Sequence, residues 1–424
     1  MSSITLTTTG SLGDVLPFVA VGEELRSRGH AVRLLLPTEF LAMVGDQGFE
    51  VAPAGFEISP STLLGLGVDW SRAGGLPLMR RAMRELVLPG LADAHAAMTS
   101  AAATSDLVVG HANQIAAQMV AETTGLPWAV LSLFPMVFPT AEGLTVVPLP
   151  HLPGPMRGPS QRAALKLMLE GSGIVLSDRA LNRFRRAHGL PNRRGYFLSA
   201  ALAADRVLVP VPEFFMPRPT DWPSNISMTG FCPGALPGAE VPPDVVEFLA
   251  AGPPPVLVTL GTASSTTAAR RLHQIAEVLD GRGVRALFLV GRDDLVGESL
   301  RDRPGVATFA PLGPVLASCR AVIHHGGYGT TAAALGAGVP SIVTPFMPDQ
   351  QWYGRRIEAF GAGVVVTPRQ LRRRLGDAVD HVLGSGDVLG SGDELRTNAA
   401  DIARHLRSQN GVAMTVDALE AMLV

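Results

Sequence analysis

The stretch AVIHHGGYGTTAAALGAGVPSIVTPFMPDQQ, from Ala321 to Gln351, constrains this chain more than any other. Its apolar start, Ala321 to Ile323, runs straight into two histidines and two glycines, so a buried strand is predicted to stop where the side chains turn polar. Gly326, Gly327 and Gly329 let backbone approach a ligand closely, and Thr330 and Thr331 stand where the next helix should begin. Free N–H groups, the positive end of a helix and hydroxyl donors then converge on one point, which is a phosphate site. Pro340 to Thr344 reads as a second strand, and its exit carries Asp349 and Gln350. Parallel strands of one sheet end on the same edge, so this acid and amide face the same crevice as the phosphate turn.

That unit is one βαβ crossover, and 424 residues leave room for two domains with proper cores at 47% hydrophobic content. A formal net charge of −2 argues against a nucleic-acid surface, and Lys166 is the only lysine, which disfavours Schiff-base chemistry. Cys232 and Cys319 are too few for a disulfide framework or a zinc site and read as small buried hydrophobes. The start lacks the basic and apolar regions of a signal peptide, and the longest apolar run, Pro127 to Phe138, is too short to span a bilayer. A cytoplasmic protein without stable membrane insertion is the expectation.

The chain opens with a second βαβ pattern: a strand at Ile4 to Thr8, glycines at 10 and 13, a helix from Pro17 ended by Gly29, and a strand at Ala31 to Leu36. This is not a GxGxxG dinucleotide fingerprint, because Gly10-Ser-Leu-Gly13 is followed by Asp14, whose charge would oppose a phosphate. The first turn therefore reads as an acceptor or catalytic site. A strand at Asp106 to Val109 exits at His111, and strand ends on one edge can bring Asp14 and His111 together as a base usable near neutral pH. After a strand at Arg206 to Val211, the proline-rich stretch 212 to 223 reads as a linker. The βα rhythm then resumes with a strand at Pro255 to Leu260, a phosphate-sized turn containing Gly261 and Thr262, a helix at Thr267 to Leu279 and strands at Arg285 to Val290 and Val306 to Phe309. The expected division is residues 1–211, a linker 212–225, and a second α/β unit 226–405.

Two long irregular stretches interrupt the first half: Ala54 to Gly90, with an arginine-rich helix at Met79 to Leu88, and Pro135 to Ser177, with an apolar helix at Ala163 to Leu169. Loops of that length are usually functional. Leu12, Met79, Met83, Phe134, Met136 and Phe138 are candidates to wall an apolar pocket, with Met156, Leu165 and Met168 behind them. Near the end VLGSGD occurs twice in tandem, at 382–387 and 388–393, as expected for a duplicated surface loop.

The HHGGxGTT and PFxxDQ motifs resemble the donor-sugar signature of inverting nucleotide-sugar glycosyltransferases of the GT-B fold, nearest to bacterial antibiotic and sterol glycosyltransferases. That resemblance implies two Rossmann-like domains facing across a cleft, with residues 406–424 returning as a helix to the first domain. It implies that His325, Gly327, Gly329 and Thr330 hold a diphosphate, and that Asp349 and Gln350 hold sugar hydroxyls. Gly-Ser-Leu-Gly-Asp-Val-Leu-Pro (10–17) resembles the family's first loop, which implies Asp14 as the general base assisted by His111, with His111 as base oriented by Asp14 the second reading. Plant relatives place a His there and an Asp later; here Asp14 and His111 would have the order reversed. Phe309-Ala-Pro-Leu312 resembles the family's base-stacking turn with Leu312 where an amide is common, and Ala333 replaces the ribose-binding Glu of plant members. The pentose is thus unread, so UDP- and dTDP-sugars are both compatible.

The resemblance implies an inverting, metal-independent hexosyltransferase with no cofactor beyond its sugar-nucleotide co-substrate. It would act on a hydroxyl of a hydrophobic polyketide, macrolide, ansamycin or similar natural product, in antibiotic biosynthesis or inactivation. No Asp-x-Asp pair stands at a strand end to hold magnesium. The alternatives are a sterol or lipid glucosyltransferase and a sugar-nucleotide epimerase on the same fold, with a dehydrogenase more remote.

Overall fold

The computed structural model describes residues 1–54, 80–81, 83–135, 138, 140, 178–236, 238–261, 266–291, 298–301, 303–384 and 391–423. Met79, Met136, Met156, Thr262, Leu165 and Met168 lie outside these residues. Two all-parallel sheets carry the chain: one in the order β3 (Glu50–Pro53), β2 (Ala31–Leu36), β1 (Ser3–Thr7), β4 (Leu107–His111), β5 (Trp128–Leu131), β6 (Arg206–Val209), β7 (Ile226–Met228), the other in the order β10 (Val306–Ala307), β9 (Ala286–Leu289), β8 (Val256–Thr259), β11 (Ala321–His324), β12 (Ser341–Val343), β13 (Gly363–Val365). In the first, β1 (Ser3–Thr7) pairs with β2 (Ala31–Leu36) on one side and β4 (Leu107–His111) on the other. In the second, β8 (Val256–Thr259) lies likewise between β9 (Ala286–Leu289) and β11 (Ala321–His324). Every residue of β4, β8 and β11 is buried, as expected of strands covered on both faces.

The first helix, Leu12–Ser27, begins five residues before the position its apolar spacing suggests and carries Pro17 inside it. A capping box of Ser11 and Asp14 nucleates the earlier start, which outweighs the preference of proline for the first position of a helix. In the arginine-rich stretch Arg80 and Arg81 are helical, Met83–Val87 form a π-helical turn, and the helix Leu88–Ala102 follows. The tandem hexapeptide is not simply a loop, since its described ends terminate the helix Leu371–Leu383 and begin the helix Ser391–Arg407.

The expected boundary at 226 also shifts. β7 (Ile226–Met228) belongs not to the second unit but to the first sheet, as its seventh strand, paired to β6 (Arg206–Val209). The proline-rich stretch before it is a folded strap whose Val211, Phe215, Met216 and Trp222 are buried. Arg218 ties it down, donating to the carbonyls of Trp222 at 3.0 Å, Pro223 at 2.7 Å and Ile226 at 3.1 Å. Prolines signal an interrupted helix or strand, and here burial of the aromatic side chains between them decides the conformation.

Two of the chain's three tyrosines lock the halves together. Tyr328 donates to the Pro210 carbonyl at 3.0 Å and accepts the Cys232 N–H at 2.8 Å, while Tyr353 donates to the Leu133 carbonyl at 2.7 Å. Phe215, Phe231, Tyr328, Tyr353 and Trp352 form a closed ring of aromatic contacts around these bonds. On the far side the helix Gly411–Glu420 packs on the helix Leu12–Ser27, and Arg28 pairs with Glu420 at 2.9 Å and with Asp417.

Candidate active site

Asp14 is the third residue of its helix, and its carboxylate folds back over the turn. Oδ2 accepts the Ser11 N–H at 2.8 Å and the Ser11 hydroxyl at 2.9 Å. Gly10 makes room for this: at φ +116° it takes a left-handed conformation, and a Cβ there would lie 2.4 Å from Asp14 Oδ2. Oδ1 stays uncommitted and faces His111 Nε2 at 4.0 Å. Burial pushes the Asp14 carboxyl up to about 6 against the Ser11 bonds, which favour the charged form.

His111 closes β4 and is buried, its ring edge-on to Phe134 at 5.5 Å. Its Nδ1 accepts the Asn113 N–H at 3.2 Å, so in the neutral ring the proton sits on Nε2, the nitrogen turned toward Asp14. Burial holds this imidazole down at about 4, hence neutral at pH 7. The pair thus consists of a carboxylate with one free oxygen and a neutral ring offering it an N–H.

Across the cleft, His324 closes β11 in the same pose, with Nδ1 accepting the Gly326 N–H at 3.1 Å. His325 is held between two glycines: a Cβ at Gly261 would lie 2.7 Å from its ring and one at Gly327 would lie 2.3 Å from Nε2. Its Nδ1 is buried without a partner. Gly326, at φ +88°, could not carry a side chain either, because a Cβ would meet the Gln350 carbonyl at 2.6 Å. The helix Tyr328–Ala337 begins here with no acidic residue in its first turn, so the N–H groups of Gly329 and Thr330 and the positive dipole end are open to an anion. Gly329 approaches Gly13 so closely that a Cβ would lie 3.7 Å from the Gly13 Cα, so the starts of two helices meet across the cleft.

Asp349 stands in the first turn of the helix Pro348–Ala359. Burial, with help from the Asp14 charge, pushes its carboxyl up to about 6. Gln350 does less than the motif suggests: its Oε1 accepts the N–H groups of Phe346 at 2.7 Å and Met347 at 3.1 Å, fastening its own loop. Only its NH₂ end remains for a ligand. Arg271 fastens the same loop from the helix Thr266–Asp280, donating to the carbonyls of Thr344 at 3.3 Å and Pro345 at 3.2 Å, with its guanidinium 3.6 Å over the Phe346 ring. Phe309 is 37% exposed, the only aromatic among the large exposed hydrophobics of the described residues, and offers a free face beside Leu312, the first residue of the helix Leu312–Ala317.

The glycosyltransferase family 28 N-terminal domain matches residues 4–126, and the erythromycin biosynthesis protein CIII-like C-terminal domain matches residues 288–414. The O-mycaminosyltylonolide 6-deoxyallosyltransferase of Streptomyces fradiae is 34% identical over 86% of this chain and 85% of its own length. The chain belongs to the antibiotic and macrolide glycosyltransferases. A sterol 3-beta-glucosyltransferase of Arabidopsis thaliana is 28% identical over 98% of this chain, which spans 64% of that longer protein. Among solved structures, the kitacinnamycin glycotransferase superposes at a TM-score of 0.70 with 21% identity, covering 100% of this chain and 99% of that one. The spinosyn rhamnosyltransferase SpnG complexed with thymidine diphosphate gives 0.65 and 19%, covering 97% and 98%. The fold is therefore GT-B.

Within this glycosyltransferase, Asp14 lies 4.0 Å from His111, Gly327 lies against His325, and Gly329 lies against Gly13 on the Asp14 turn. Of the residues expected to wall an acceptor pocket, Leu12, Met83 and Phe138 lie in hydrophobic clusters and Phe134 packs against the one that holds Leu12 and Phe138. Phe138 packs edge-on to Trp222 at 5.9 Å. An apolar side chain in an irregular segment reads alike whether it lines a pocket or fills a core. Among the four of these six that the structure describes, Phe134 has its ring against that of His111. Sequence reasoning does not single out Ser11, Gly10, Asn113 or Arg271 for the parts they play here. Ser11 is legible as Ser-x-x-Asp, a capping-box spacing, whereas Arg271 has no local signal because its partners are over 70 residues away.

Among the described residues no helix is long and apolar enough to cross a membrane.

Proposed function

We propose that this enzyme transfers a hexosyl group from a UDP- or dTDP-sugar to a hydroxyl of a hydrophobic natural product, with inversion and Asp14 as general base. The observation that carries the reading is the division of labour within one carboxylate. Oδ2 is fixed by Ser11, and Oδ1 is left free beside a neutral His111 N–H. His111 cannot replace it as base without giving up the Asn113 bond, since its free nitrogen already carries the proton. At 4.0 Å its N–H lies beyond hydrogen-bond distance and supports the carboxylate only weakly, as a dipole turned toward it, while Ser11 does the orienting.

In the reaction the acceptor oxygen forms a bond to the anomeric carbon as the bond from that carbon to the diphosphate oxygen breaks. The leaving electron pair goes to the nucleoside diphosphate, and the acceptor proton goes to Asp14 Oδ1. A single displacement from the face opposite the leaving group inverts the centre. The diphosphate charge is met by the start of the helix Tyr328–Ala337, the turn 326–329 and His325, and we expect turnover to persist in chelator. Asp349 receives sugar hydroxyls, and Phe309 receives the base on its exposed face.

The experiment is incubation with UDP- and dTDP-sugars and a panel of polyketide, macrolide, ansamycin and sterol acceptors, read by mass, with the anomeric configuration of the product read by NMR. A product with retained configuration sinks the mechanism. Sterols belong in the panel because the plant sterol enzyme matches nearly the whole chain.

A further inference from the structure

Away from the cleft, residues 179–194 hold six arginines and no aspartate or glutamate, in a chain of formal net charge −2. The helix Asp178–Ala187 and the loop after it enclose an open cleft of about 370 Å³, lined by Arg179, Asn182, Arg183, Arg186, Asn192 and Arg194. No apolar side chain lines it, which distinguishes it from a site for a hydrophobic acceptor.

The two walls are fastened to each other. Asn182 clasps the Arg193 backbone in both directions, its Nδ2 donating to the carbonyl and its Oδ1 accepting the N–H, each at 2.8 Å. Arg186 donates to Asn192 Oδ1 at 2.8 Å. Underneath, Arg185 is fully buried with its guanidinium 4.4 Å over the Tyr196 ring, and it donates to the Pro191 carbonyl at 2.9 Å and to Glu122 at 2.8 Å. Arg193 takes the other oxygen of Glu122 at 3.4 Å, so that carboxylate is already paired twice. Arg179, Arg183 and Arg194 remain exposed and make no ion pair with any described residue.

Like charges gathered this closely repel one another, and here side-chain bonds hold the two walls on which they stand. Guanidinium forks pair bidentately with phosphate oxygens, and a scaffold fixed beforehand lowers the ordering cost of binding. We propose that this cleft binds phosphate groups, either those of a free diphosphate or those of anionic lipid headgroups. It is separate from the diphosphate cradle at 325–330 and does not depend on the reaction proposed above.

The test modifies arginines of the whole enzyme with a phenylglyoxal reagent and reads each peptide by mass. Millimolar pyrophosphate should slow modification of Arg179, Arg183 and Arg194 several-fold, whereas sodium chloride of matched ionic strength should not. In parallel, the enzyme is sedimented with phosphatidylglycerol or phosphatidylcholine vesicles, alongside a variant carrying Arg179→Gln, Arg183→Gln and Arg194→Gln. These side chains are exposed, so the variant should fold normally, which its melting temperature checks. Protection by pyrophosphate without sedimentation assigns the cleft to free phosphate. Sedimentation with phosphatidylglycerol alone, lost in the variant, assigns it to lipid headgroups. Equal modification in pyrophosphate and chloride, together with no vesicle binding, overturns the proposal.

Discussion

The two halves of this glycosyltransferase build the same corner, but beside it one half supplies a negative charge from its own chain and the other leaves a helix start open to a ligand's. β4 and β11 hold the same place in their sheets, each beside the first strand of its half, and each ends in a buried histidine whose Nδ1 accepts the N–H two residues on. Three residues then lead to a helix in both cases, 112–114 to the helix Ile115–Thr124 and 325–327 to the helix Tyr328–Ala337. In the first half those three are Ala-Asn-Gln, and the neighbouring helix start at Leu12 is occupied by its own carboxylate. In the second they are His-Gly-Gly, and the helix start carries no acid. A helix N-terminus attracts negative charge whether it comes from the chain or from a ligand. Supplying Asp14 internally makes a base, and leaving the N-terminus bare with glycines makes an anion cradle.

Breaking the first corner should have the largest effect. Asp14→Asn is expected to lower turnover by about 10² to 10⁴, the usual worth of a general base, with nucleoside diphosphate affinity unchanged by calorimetry. The same variant should melt higher at pH 8 but not at pH 4. Because the native carboxyl is pushed up to about 6 from its ordinary value near 4, ionising it costs the native state stability as pH rises through that window, and Asn removes the cost. Gly10→Ala should imitate Asp14→Asn in turnover by displacing Oδ2. Normal activity in Gly10→Ala would show that the folded-back carboxylate is not the working one.

Breaking the second corner should give the converse pattern. Gly327→Ala drives a methyl into His325, and UDP or dTDP affinity should fall by roughly tenfold or more, about 1.4 kcal/mol. Turnover at saturating donor should fall less. Equal losses in both would mean that the two corners are not separable.

Next in size are the sugar-loop variants. Asp349→Ala should cost about 1–3 kcal/mol in sugar-nucleotide recognition, with affinity for the bare diphosphate kept. Gln350→Ala should weaken both, because it unfastens the turn that Gly326 packs against. If Gln350→Ala spares the bare diphosphate, the amide is a sugar ligand and not a loop clasp.

The smallest effect sharpens the role of His111. The pH profile of kcat/KM should fall about tenfold per unit below an apparent pKa near 6, as Asp14 takes up its proton. At 4.0 Å the His111 N–H is a weak partner, so His111→Gln should move that midpoint by less than about one unit, equivalent to under 1.4 kcal/mol. A wild-type midpoint near 4 in place of 6, lost in His111→Gln, would identify the imidazole as the titrating base.

Residues close in sequence carried most of this site. The glycines at 326, 327 and 329, the histidines before them and the helix after them form one continuous segment, so backbone geometry alone fixes the anion cradle. The Asp14 turn is local in the same way, held within four residues by Ser11 and Gly10. The strand rhythm likewise follows from short β-branched runs buried on both faces. Tertiary structure alone decided which contacts join distant residues. It set Asp14 4.0 Å from His111 through the pairing of β1 with β4, fixed the sugar loop through Arg271, and closed the cleft through Tyr328 and Tyr353. It also put β7 in the first sheet, set Phe138 edge-on to Trp222 and set Phe134 edge-on to His111. Local pattern reports which side chains avoid water, and only the packed chain determines what they meet instead.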